Sequence, residues 1–291
     1  MSSPEQKNEA KGPNADQIEY WNGDAGEKWA RHQDRLDAML APFSKALQLL
    51  AAVEPGERVM DIGCGCGATT FDLANAAGDG GSTLGVDISG PMIARAKERA
   101  AALRSKAEFL LADAATHDFG TRQFDVLASR FGIMFFDNPA PAFGHMRKTL
   151  APGGRTGFVC WRPFRENPWA ALPMMAALPH LPPQEPPVPG APGPFAFDDA
   201  SRFHDVLSQA GYSAIDIQPF DAELTLGAGA DAIETALNQS LEIGPLARAM
   251  KTMPDAMRDT VSDAVRKALA ANVNDGEVRL PGAVWLVSAK A

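Results

Sequence analysis

Short apolar runs alternate with amphipathic stretches through the middle of the chain, from Arg58 to Trp161. This order predicts a parallel β-sheet whose strands are joined by crossover helices. The predicted strands are RVMDI at 58–62, STLGVDI at 82–88, AEFLLAD at 107–113, QFDVLASR at 123–130 and GRTGFVCW at 154–161. Helices are predicted to begin near Ala68, and near Pro91 and Pro139, because a proline at a helix start lacks only an N–H that would have no partner there.

The segments on either side of this region have other patterns. Residues 1–17 are polar and predict a disordered leader, whereas residues 18–53 carry apolar side chains at helical spacing and predict a helical cover of two helices, broken near Pro42. Residues 162–197 form a proline-rich insertion, in which PHLPPQEPPVPGAPGPF is too rich in proline for a regular element. We interpret this insertion as a linker, a lid or an arm for contacts between subunits.

Regular structure is predicted to resume after residue 197. The stretch DDASRFHDVLSQAG predicts a helix that Asp198 or Asp199 caps and Gly211 ends. A strand at SAIDIQPF, helices between 231 and 272 and a last strand in AVWLVSAKA complete the chain. The length favours one domain with additions, so residues 54–291 form the predicted main unit.

Charge and composition argue against several function classes. The 291 residues include 36 acidic and 27 basic ones, for a formal net charge of −9, so the chain repels the phosphate backbone of a nucleic acid on average. The sequence has neither a signal-peptide core nor an apolar stretch near the ~18 residues of a membrane helix. We expect a cytoplasmic protein without nucleic-acid partners or membrane insertion; a homodimer is left open. Three cysteines are too few for a structural metal site, so no metal is predicted.

A glycine-rich turn follows the first strand directly. It reads Gly63-Cys64-Gly65-Cys66-Gly67 and leads into a predicted helix. In a doubly wound fold such a turn lies at the carboxyl end of the strand, in the crevice where ligands bind, and glycines let the backbone approach a ligand closely. The same residues satisfy the G-x-G-x-x-A pattern of nicotinamide dinucleotide enzymes, so this turn alone does not identify the cofactor.

Carboxylates at the ends of the first three strands narrow the choice. Asp61 precedes the glycines, where it would repel a pyrophosphate but pair with an ammonium group; alternatively it caps the next turn. Asp87, 26 residues further on, can accept hydrogen bonds from two ribose hydroxyls, or else it caps the following helix. Asp113 can accept from an adenine amino group, with Ile88 and Ala114 flanking the ring.

Five segments together resemble a known family. In order and spacing, VMDIGCGCG, GVDIS, LLADA, FDVLASRFGIMFF and LAPGG are similar to the motifs of class I S-adenosylmethionine-dependent methyltransferases, over about residues 55–161. The resemblance implies a doubly wound α/β fold with a mostly parallel seven-stranded sheet, an antiparallel last strand, an N-terminal helical cover and inserted helices. It implies S-adenosyl-L-methionine as the cofactor. The residues implied to bind it are Asp61, Gly63, Cys64, Gly65, Asp87, Ile88, Asp113, Ala114, Arg130 and Phe131.

Two further stretches resemble a narrower branch. YWNGDAGEKW and SRFGIMFFDNPAPAF look like the bacterial small-molecule enzymes near the ubiquinone and menaquinone biosynthesis C-methyltransferases. On this resemblance Tyr20, Trp21 and Trp29 belong to a cover over the cofactor. The alternative is that these aromatic side chains simply pack on the sheet.

The sequence assigns no catalytic residue. Methyl transfer needs mainly an aligned acceptor atom, and a base only where the acceptor is protonated; His32 and His180 are the imidazoles placed to face an acceptor. We expect a methyltransferase acting on an oxygen or carbon nucleophile of a small-molecule acceptor. The alternatives are an NAD(P)-dependent oxidoreductase using the same glycine-rich turn and a non-catalytic binding protein. A reductase's Tyr-x-x-x-Lys is absent, since neither Tyr20 nor Tyr212 has a lysine four residues later.

Overall fold

The computed structural model describes residues 12–183, 188–251 and 253–291. The strands are β1 Arg58–Ile62, β2 Ser82–Asp87, β3 Glu108–Leu111, β4 Phe124–Arg130, β5 Leu150–Trp161, β6 Ser213–Ala228, β7 Val273–Asn274 and β8 Glu277–Lys290. The helices are α1 Ala15–Asn22, α2 Asp24–Arg31, α3 Gln33–Ala51, α4 Ala68–Ala77, α5 Gly90–Leu103, α6 Pro139–Arg147, α7 Pro168–Ala177, α8 Ala200–Gln209, α9 Ala232–Glu242, α10 Pro245–Met250 and α11 Asp255–Ala270. Short 3₁₀ turns lie at Gly132–Phe135, Phe164–Glu166 and Leu178–His180.

One sheet carries the fold, in the order β3-β2-β1-β4-β5-β8-β6. Strands β1 to β5 pair in parallel, and β8 is antiparallel to both of its neighbours. This confirms the predicted mostly parallel sheet with an antiparallel last strand, to which the two-residue β7 adds a short pairing with β8. The strand order reverses between β1 and β4, so their carboxyl ends meet at the switch point where such folds bind ligands.

The core lies on both faces of this sheet. Phe158 and Trp161 are three positions apart on β5 and therefore point to opposite faces. Phe158 contacts Phe143 of α6, whereas Trp161 contacts Phe43 of α3. All four rings are at most 4% exposed, so helices are held on each face by aromatic packing.

The prediction of two N-terminal helices broken at Pro42 is wrong. Three helices form, and the breaks lie at Gly23 and His32. Pro42 lies inside α3, where it removes one backbone hydrogen bond. The neighbouring Phe43 is fully buried, and this packing against the sheet keeps the helix continuous.

The end of the predicted leader is also structured. Residues 1–11 lie outside the described residues, so disorder there stays a prediction. Helix α1 begins at Ala15, however, and Asn14 and Gln17 are buried. Asn14 N donates to Asp137 Oδ2 at 2.6 Å and Asp137 N donates back to Asn14 Oδ1 at 2.8 Å. No periodic pattern in the sequence predicts this pair of long-range hydrogen bonds.

The proline-rich insertion contains a helix that was not predicted, ahead of the stretch PHLPPQEPPVPGAPGPF. Helix α7 occupies residues 168–177, with Pro168 in its first turn, where proline is tolerated. Trp169 and Ala177 of this helix are buried. Residues 188–197 form turns that lead into α8, which Asp199 caps as predicted by accepting from the N–H groups of Ser201 and Arg202.

Candidate functional site

A cavity of about 1300 Å³ opens at the carboxyl ends of the parallel strands. One part of the lining consists of the turns after β1 to β4 together with helices α1 to α3; we call it the cofactor wall, after the role that the sequence predicts for it. The other part consists of segments 161–174, 188–202 and 243–248 together with Trp285; we call it the acceptor wall, after the role proposed below. Sites for one small molecule usually enclose ~300–1,000 Å³, so this cavity has room for two ligands side by side.

The glycine-rich turn is held by direct backbone packing. Gly63 has φ +65°, and a Cβ placed on it would lie 2.4 Å from the Cα of Gly132, in the turn after β4. Both the dihedral angle and the contact require glycine. Gly63, Cys64 and Gly65 all line the cavity, as the sequence predicts for a ligand-binding turn.

Asp61 differs from the other residues predicted to bind the cofactor, because it does not line the cavity. Its carboxylate is fully buried, and Oδ2 accepts hydrogen bonds from the hydroxyls of Thr69 and Thr70 at 2.7 Å each. Burial raises the pKa of Asp61 to about 6, against the opposing effect of the two hydroxyls and of Arg130. These bonds support the first turn of α4; Oδ1 has no hydrogen-bond partner among the described residues, so direct pairing of Asp61 with a ligand ammonium stays a prediction.

Asp87 joins the turns after β1 and β2. Its Oδ2 accepts from Gly65 N and its Oδ1 from Ser89 N, each at 2.8 Å. The cap of α5 is Ser89, whose side chain accepts from Met92 N, so the alternative that Asp87 caps this helix is wrong. Burial raises the pKa of Asp87, and its carboxylate lines the cavity with acceptor capacity beyond its two backbone bonds.

Helix α1 is attached across the ends of β2 and β3. Asp113 Oδ1 accepts from Ala115 N at 2.9 Å, and its Oδ2 accepts from Asn14 Nδ2 at 2.8 Å. At the other end of α1, Asn22 Nδ2 donates to the carbonyl of Ile88 at 2.8 Å. The cavity is lined by Asp113, Ile88 and also Ala114. The three residues that the sequence predicts around an adenine ring thus lie together beneath α1.

Aromatic side chains of the N-terminal helices lie on the cofactor wall. Tyr20, Trp21 and Trp29 all line the cavity. The ring of Trp21 contacts Trp29 edge-on at 6.0 Å between centroids and Phe135 at 5.2 Å. These residues therefore line the cavity, and their role in a cover over the cofactor stays a prediction.

The residues after β4 complete the predicted set. Phe131 has φ +68° and stacks on Trp161 with centroids 4.2 Å apart. A positive φ is unusual for a bulky side chain, and the stacked Trp161 holds this ring in place. Arg130 also lines the cavity, and its Nη1 donates to Ser44 Oγ at 2.5 Å.

The structure does not bring a histidine to the cavity. Among the residues described, none of the five imidazoles lines its walls. His32 Nε2 lies 2.5 Å from Glu242 Oε2, and His180 lies in the 3₁₀ turn after α7. The possibility that either of these two faces an acceptor is therefore not supported, because neither lines the cavity.

Sequence reasoning missed most of the acceptor wall. Aromatic rings and charged groups from distant segments meet there: Trp161, Phe164, Arg165, Glu166, Trp169, Phe195, Asp198, Arg202, Arg248 and Trp285. No short motif joins them, since they come from six different helices and strands and from the segment before α8. The tryptophans near the proline-rich insertion were the signal in the sequence that could have indicated this wall.

Comparison with known proteins agrees with this geometry. A family model described as a methyltransferase domain matches residues 59–154. Aklanonic acid methyltransferase DauC of Streptomyces sp. (strain C5) is 33% identical over 160 residues, which cover 52% of this chain and 72% of that protein. The chain belongs to the class I S-adenosylmethionine-dependent methyltransferases. Nocamycin O-methyltransferase of Saccharothrix syringae is 38% identical to it over 120 residues, covering 40% of this chain and 42% of that protein.

Solved structures share the fold of this methyltransferase. The YcgJ protein of Bacillus aligns with a TM-score of 0.53 at 16% identity and covers 87% of this chain and 97% of its own. Phosphoethanolamine N-methyltransferase 2 of Haemonchus contortus, solved with S-adenosyl-L-methionine, aligns with a TM-score of 0.50 at 16% identity, covering 86% of this chain and 52% of its own. The cofactor of the family is S-adenosyl-L-methionine, and the oxidoreductase alternative has no support among these matches.

The cysteines of the methyltransferase are buried thiols. Burial raises the pKa of Cys66 to about 12 and that of Cys64 well above its usual range. A protonated thiol is a poor nucleophile, so we assign no chemical step to these two side chains, which line the cavity.

In residues 12–183, 188–251 and 253–291, no helix is long and apolar enough to cross a membrane.

Proposed function

We propose that this methyltransferase transfers a methyl group to an oxygen or carbon nucleophile of an apolar or aromatic small molecule. The observation that carries the proposal is the division of one cavity into a wall of glycine-rich turn and strand-end carboxylates and a wall rich in aromatic rings. Apolar and aromatic lining with a few polar groups is typical of sites for small organic ligands. The names of the relatives, which act on aklanonic acid and nocamycin, support this acceptor class.

On this proposal the cofactor wall holds S-adenosyl-L-methionine through the predicted residues. The Asp87 carboxylate accepts from the ribose hydroxyls, while Asp113, Ile88 and Ala114 surround the adenine. The methionine portion lies along Gly63, Cys64 and Gly65, beside Arg130 and Phe131. Asp61 acts indirectly, because its bonds to Thr69 and Thr70 fix the start of α4 behind the turn.

The acceptor wall then aligns the nucleophile with the methyl group. Bound S-adenosyl-L-methionine supplies an electrophilic methyl carbon on a sulfonium, and alignment within near-attack distance gives the main acceleration. Trp161 and Trp169, with centroids 4.7 Å apart, belong to a packed aromatic cluster that an apolar acceptor can contact along the cavity. Glu166 pairs with Arg162 at 2.5 Å at the edge of this wall.

Calorimetry tests the cofactor half of the proposal. We expect S-adenosylhomocysteine to bind with a micromolar Kd, and NADH to give no signal. Tight NADH binding without a response to S-adenosylhomocysteine would refute the proposal.

A methylation assay tests the acceptor half. The enzyme is incubated with isotope-labelled S-adenosyl-L-methionine and a panel of polycyclic aromatic acids, enols and phenols, with phosphoethanolamine as the amine comparison. We expect label on oxygen or carbon of the aromatic compounds, as read by mass spectrometry. Label transferred to phosphoethanolamine alone would contradict the proposed acceptor class.

A further inference from the structure

Two cations meet over one tyrosine ring where the two walls of the cavity adjoin. The guanidinium carbon of Arg248, in α10, lies 5.1 Å from the centroid of the Tyr20 ring in α1, and Lys251 Nζ lies 4.6 Å from the same centroid. Tyr20 lines the cavity on the cofactor wall and Arg248 lines it on the acceptor wall. Positive charge is therefore concentrated at the junction of the two walls.

Arg248 keeps its hydrogen-bond donors available. The residue is exposed, and among the residues that the structure describes its guanidinium forms neither an ion pair nor a hydrogen bond. Its contact is with the face of the Tyr20 ring, an electrostatic interaction that uses none of the five N–H donors of a guanidinium. These donors can therefore serve a ligand.

The other arginines of the acceptor wall differ from Arg248. Arg165 pairs with Glu166 at 3.4 Å, and Arg202 pairs with Asp198 at 2.5 Å. Their charges are thus at least partly neutralised within the protein. Within the described parts of the chain, Arg248 is the arginine of this wall whose charge has no carboxylate partner.

Helix α10 connects this cation to the aromatic part of the wall. Gly244, which precedes the helix, packs against Trp169: a Cβ placed on Gly244 would lie 3.4 Å from the indole ring. Arg248 N donates to Gly244 O at 3.4 Å, so the two residues are one helical turn apart, which is about 6 Å along the axis. A ligand with an aromatic ring near Trp169 therefore has Arg248 within reach of a substituent of that ring.

We propose that Arg248 binds an acidic group of the acceptor, which makes the acceptor an aromatic carboxylic acid rather than a neutral aromatic compound. The inference rests on the proposed function, because it takes an aromatic small molecule on the acceptor wall as given. A guanidinium matches a carboxylate in shape and charge and can donate two parallel hydrogen bonds to it. The acidic group orients the acceptor, and the nucleophile elsewhere on the ring system receives the methyl group.

The charge of the whole protein makes such a local cation necessary. The chain has a formal net charge of −9, so its long-range field repels an anionic acceptor on average. Arg248 and Lys251 oppose this repulsion at the cavity. Specificity for an acid is then set by the charge at this junction, in addition to the aromatic contacts.

Binding of a matched pair of compounds tests the assignment. The probes are a hydroxynaphthoic acid, with the hydroxyl and carboxyl groups at opposite ends of the ring system, and its primary amide, which has the same rings without the charge. Kd is measured by calorimetry on the protein saturated with S-adenosylhomocysteine, for the wild type, Arg248→Gln and Arg31→Gln. Arg31 is the matched control, because it is also exposed and without an ion pair among the described residues but does not line the cavity.

We expect the wild type and Arg31→Gln to prefer the acid by about tenfold, and Arg248→Gln to bind the acid and the amide with affinities that differ by less than about twofold. Because Arg248 is exposed, the substitution should leave the melting temperature unchanged. The Kd for S-adenosylhomocysteine should also stay constant.

Every other pattern overturns the inference. If Arg248→Gln keeps the preference for the acid, or if the wild type shows none, Arg248 does not bind the acidic group. If the substitution weakens the acid and the amide equally, Arg248 serves only the structure of the wall, and if it weakens S-adenosylhomocysteine, it serves the cofactor. The proposed function survives each of these results, because the amide still binds to the wild type. It fails, and the inference with it, if neither compound binds to the wild type that holds S-adenosylhomocysteine.

Discussion

The two walls of the cavity are built in different ways. The cofactor wall is formed by turns that directly follow consecutive strands and meet through backbone atoms, as in the contact of Gly63 with Gly132 and the bond from Gly65 N to Asp87. The acceptor wall is assembled from side chains far apart in sequence, such as Trp161 and Trp285. Changes in the first wall should therefore disturb the fold and cofactor binding together. Changes in the second should alter acceptor binding and leave the cofactor in place.

The largest effect is expected from Gly63→Ala. The added Cβ would lie 2.4 Å from a backbone atom at a positive φ, and backbone cannot yield as a side chain can. We expect a loss of about 3 kcal/mol or more in the free energy of unfolding and no measurable binding of S-adenosylhomocysteine. Thermal melting and calorimetry are the measurements.

Gly56→Ala is the matched control for this substitution. Gly56 also has a positive φ, +94°, but a Cβ there would meet no atom within 4 Å. The expected cost is about 1 kcal/mol, from the dihedral angle alone, with unchanged cofactor affinity. Equal losses in the two variants would show that the contact between the turns does not matter.

The next effect is a pH dependence caused by Asp61. Its pKa is raised from 3.8 to about 6 in the folded protein, so the folded state binds more protons than the unfolded chain between these values. The free energy of unfolding must then fall as pH rises through this window, by up to about 3 kcal/mol. Asp61→Asn keeps an acceptor for Thr69 and Thr70 but removes the charge. We expect the variant to lack this part of the decline in urea unfolding from pH 4 to 8.

Asp125 gives a comparison of opposite sign. Arg58 lowers the pKa of its carboxyl group through a direct hydrogen bond, so this pair stabilises the fold above the unfolded pKa and the stabilisation is lost as pH falls. The advantage of the wild type over Asp125→Asn should therefore grow with rising pH. If the free energies of unfolding of the wild type and Asp61→Asn instead changed in parallel with pH, Asp61 would not be the cause of the decline described above.

A smaller effect is expected for cofactor binding by Asp87→Asn. The substitution removes the charge that is proposed to accept from ribose, and charge-assisted hydrogen bonds contribute about 1.5–3 kcal/mol. The Kd for S-adenosylhomocysteine should rise about 10- to 100-fold. Ser89→Ala is the control, because it removes the actual cap of α5 and should cost about 1 kcal/mol of stability with little change in Kd. The reverse pattern in the two variants would remove the ribose assignment of Asp87.

The same contrast explains what the sequence could predict. Strand β1 was predicted residue for residue, and the glycine-rich turn, Asp87 and Asp113 were placed on the cavity, because a strand, its turn and the next helix lie within a few residues of one another. The cap of α5 was assigned to the wrong neighbour, since Asp87 and Ser89 are both good capping types. Only the bond from Met92 N to the Ser89 side chain separates the two roles.

The acceptor wall could not be predicted for a physical reason. No element was predicted at residues 168–177, where α7 forms; proline is tolerated in the first helical turn, and Trp169 of this helix is buried against the rest of the protein. The break expected at Pro42 failed similarly, as burial of Phe43 outweighs the lost hydrogen bond. In both places tertiary packing overrides a local preference that is read from composition.

The smallest predicted effect concerns the hydrogen bond that joins the acceptor wall beside the proline-rich insertion to the sheet. Trp285 of β8 lines the cavity, and its Nε1 donates to the carbonyl of Asp198 at 3.2 Å. Trp285→Phe keeps an aromatic ring on the wall but deletes this bond, which is worth about 0.5–1.5 kcal/mol. Amide hydrogen exchange in residues 193–199 should therefore become several-fold faster, and the KM of an acceptor should rise about fivefold, while the Kd of S-adenosylhomocysteine stays constant. Trp29→Phe serves as the control on the cofactor wall, because within the described residues the Trp29 ring makes no hydrogen bond to residues 193–199. If Trp285→Phe weakened cofactor binding as much as acceptor binding, the two walls would not be independent, and the separation from which these experiments are designed would be wrong.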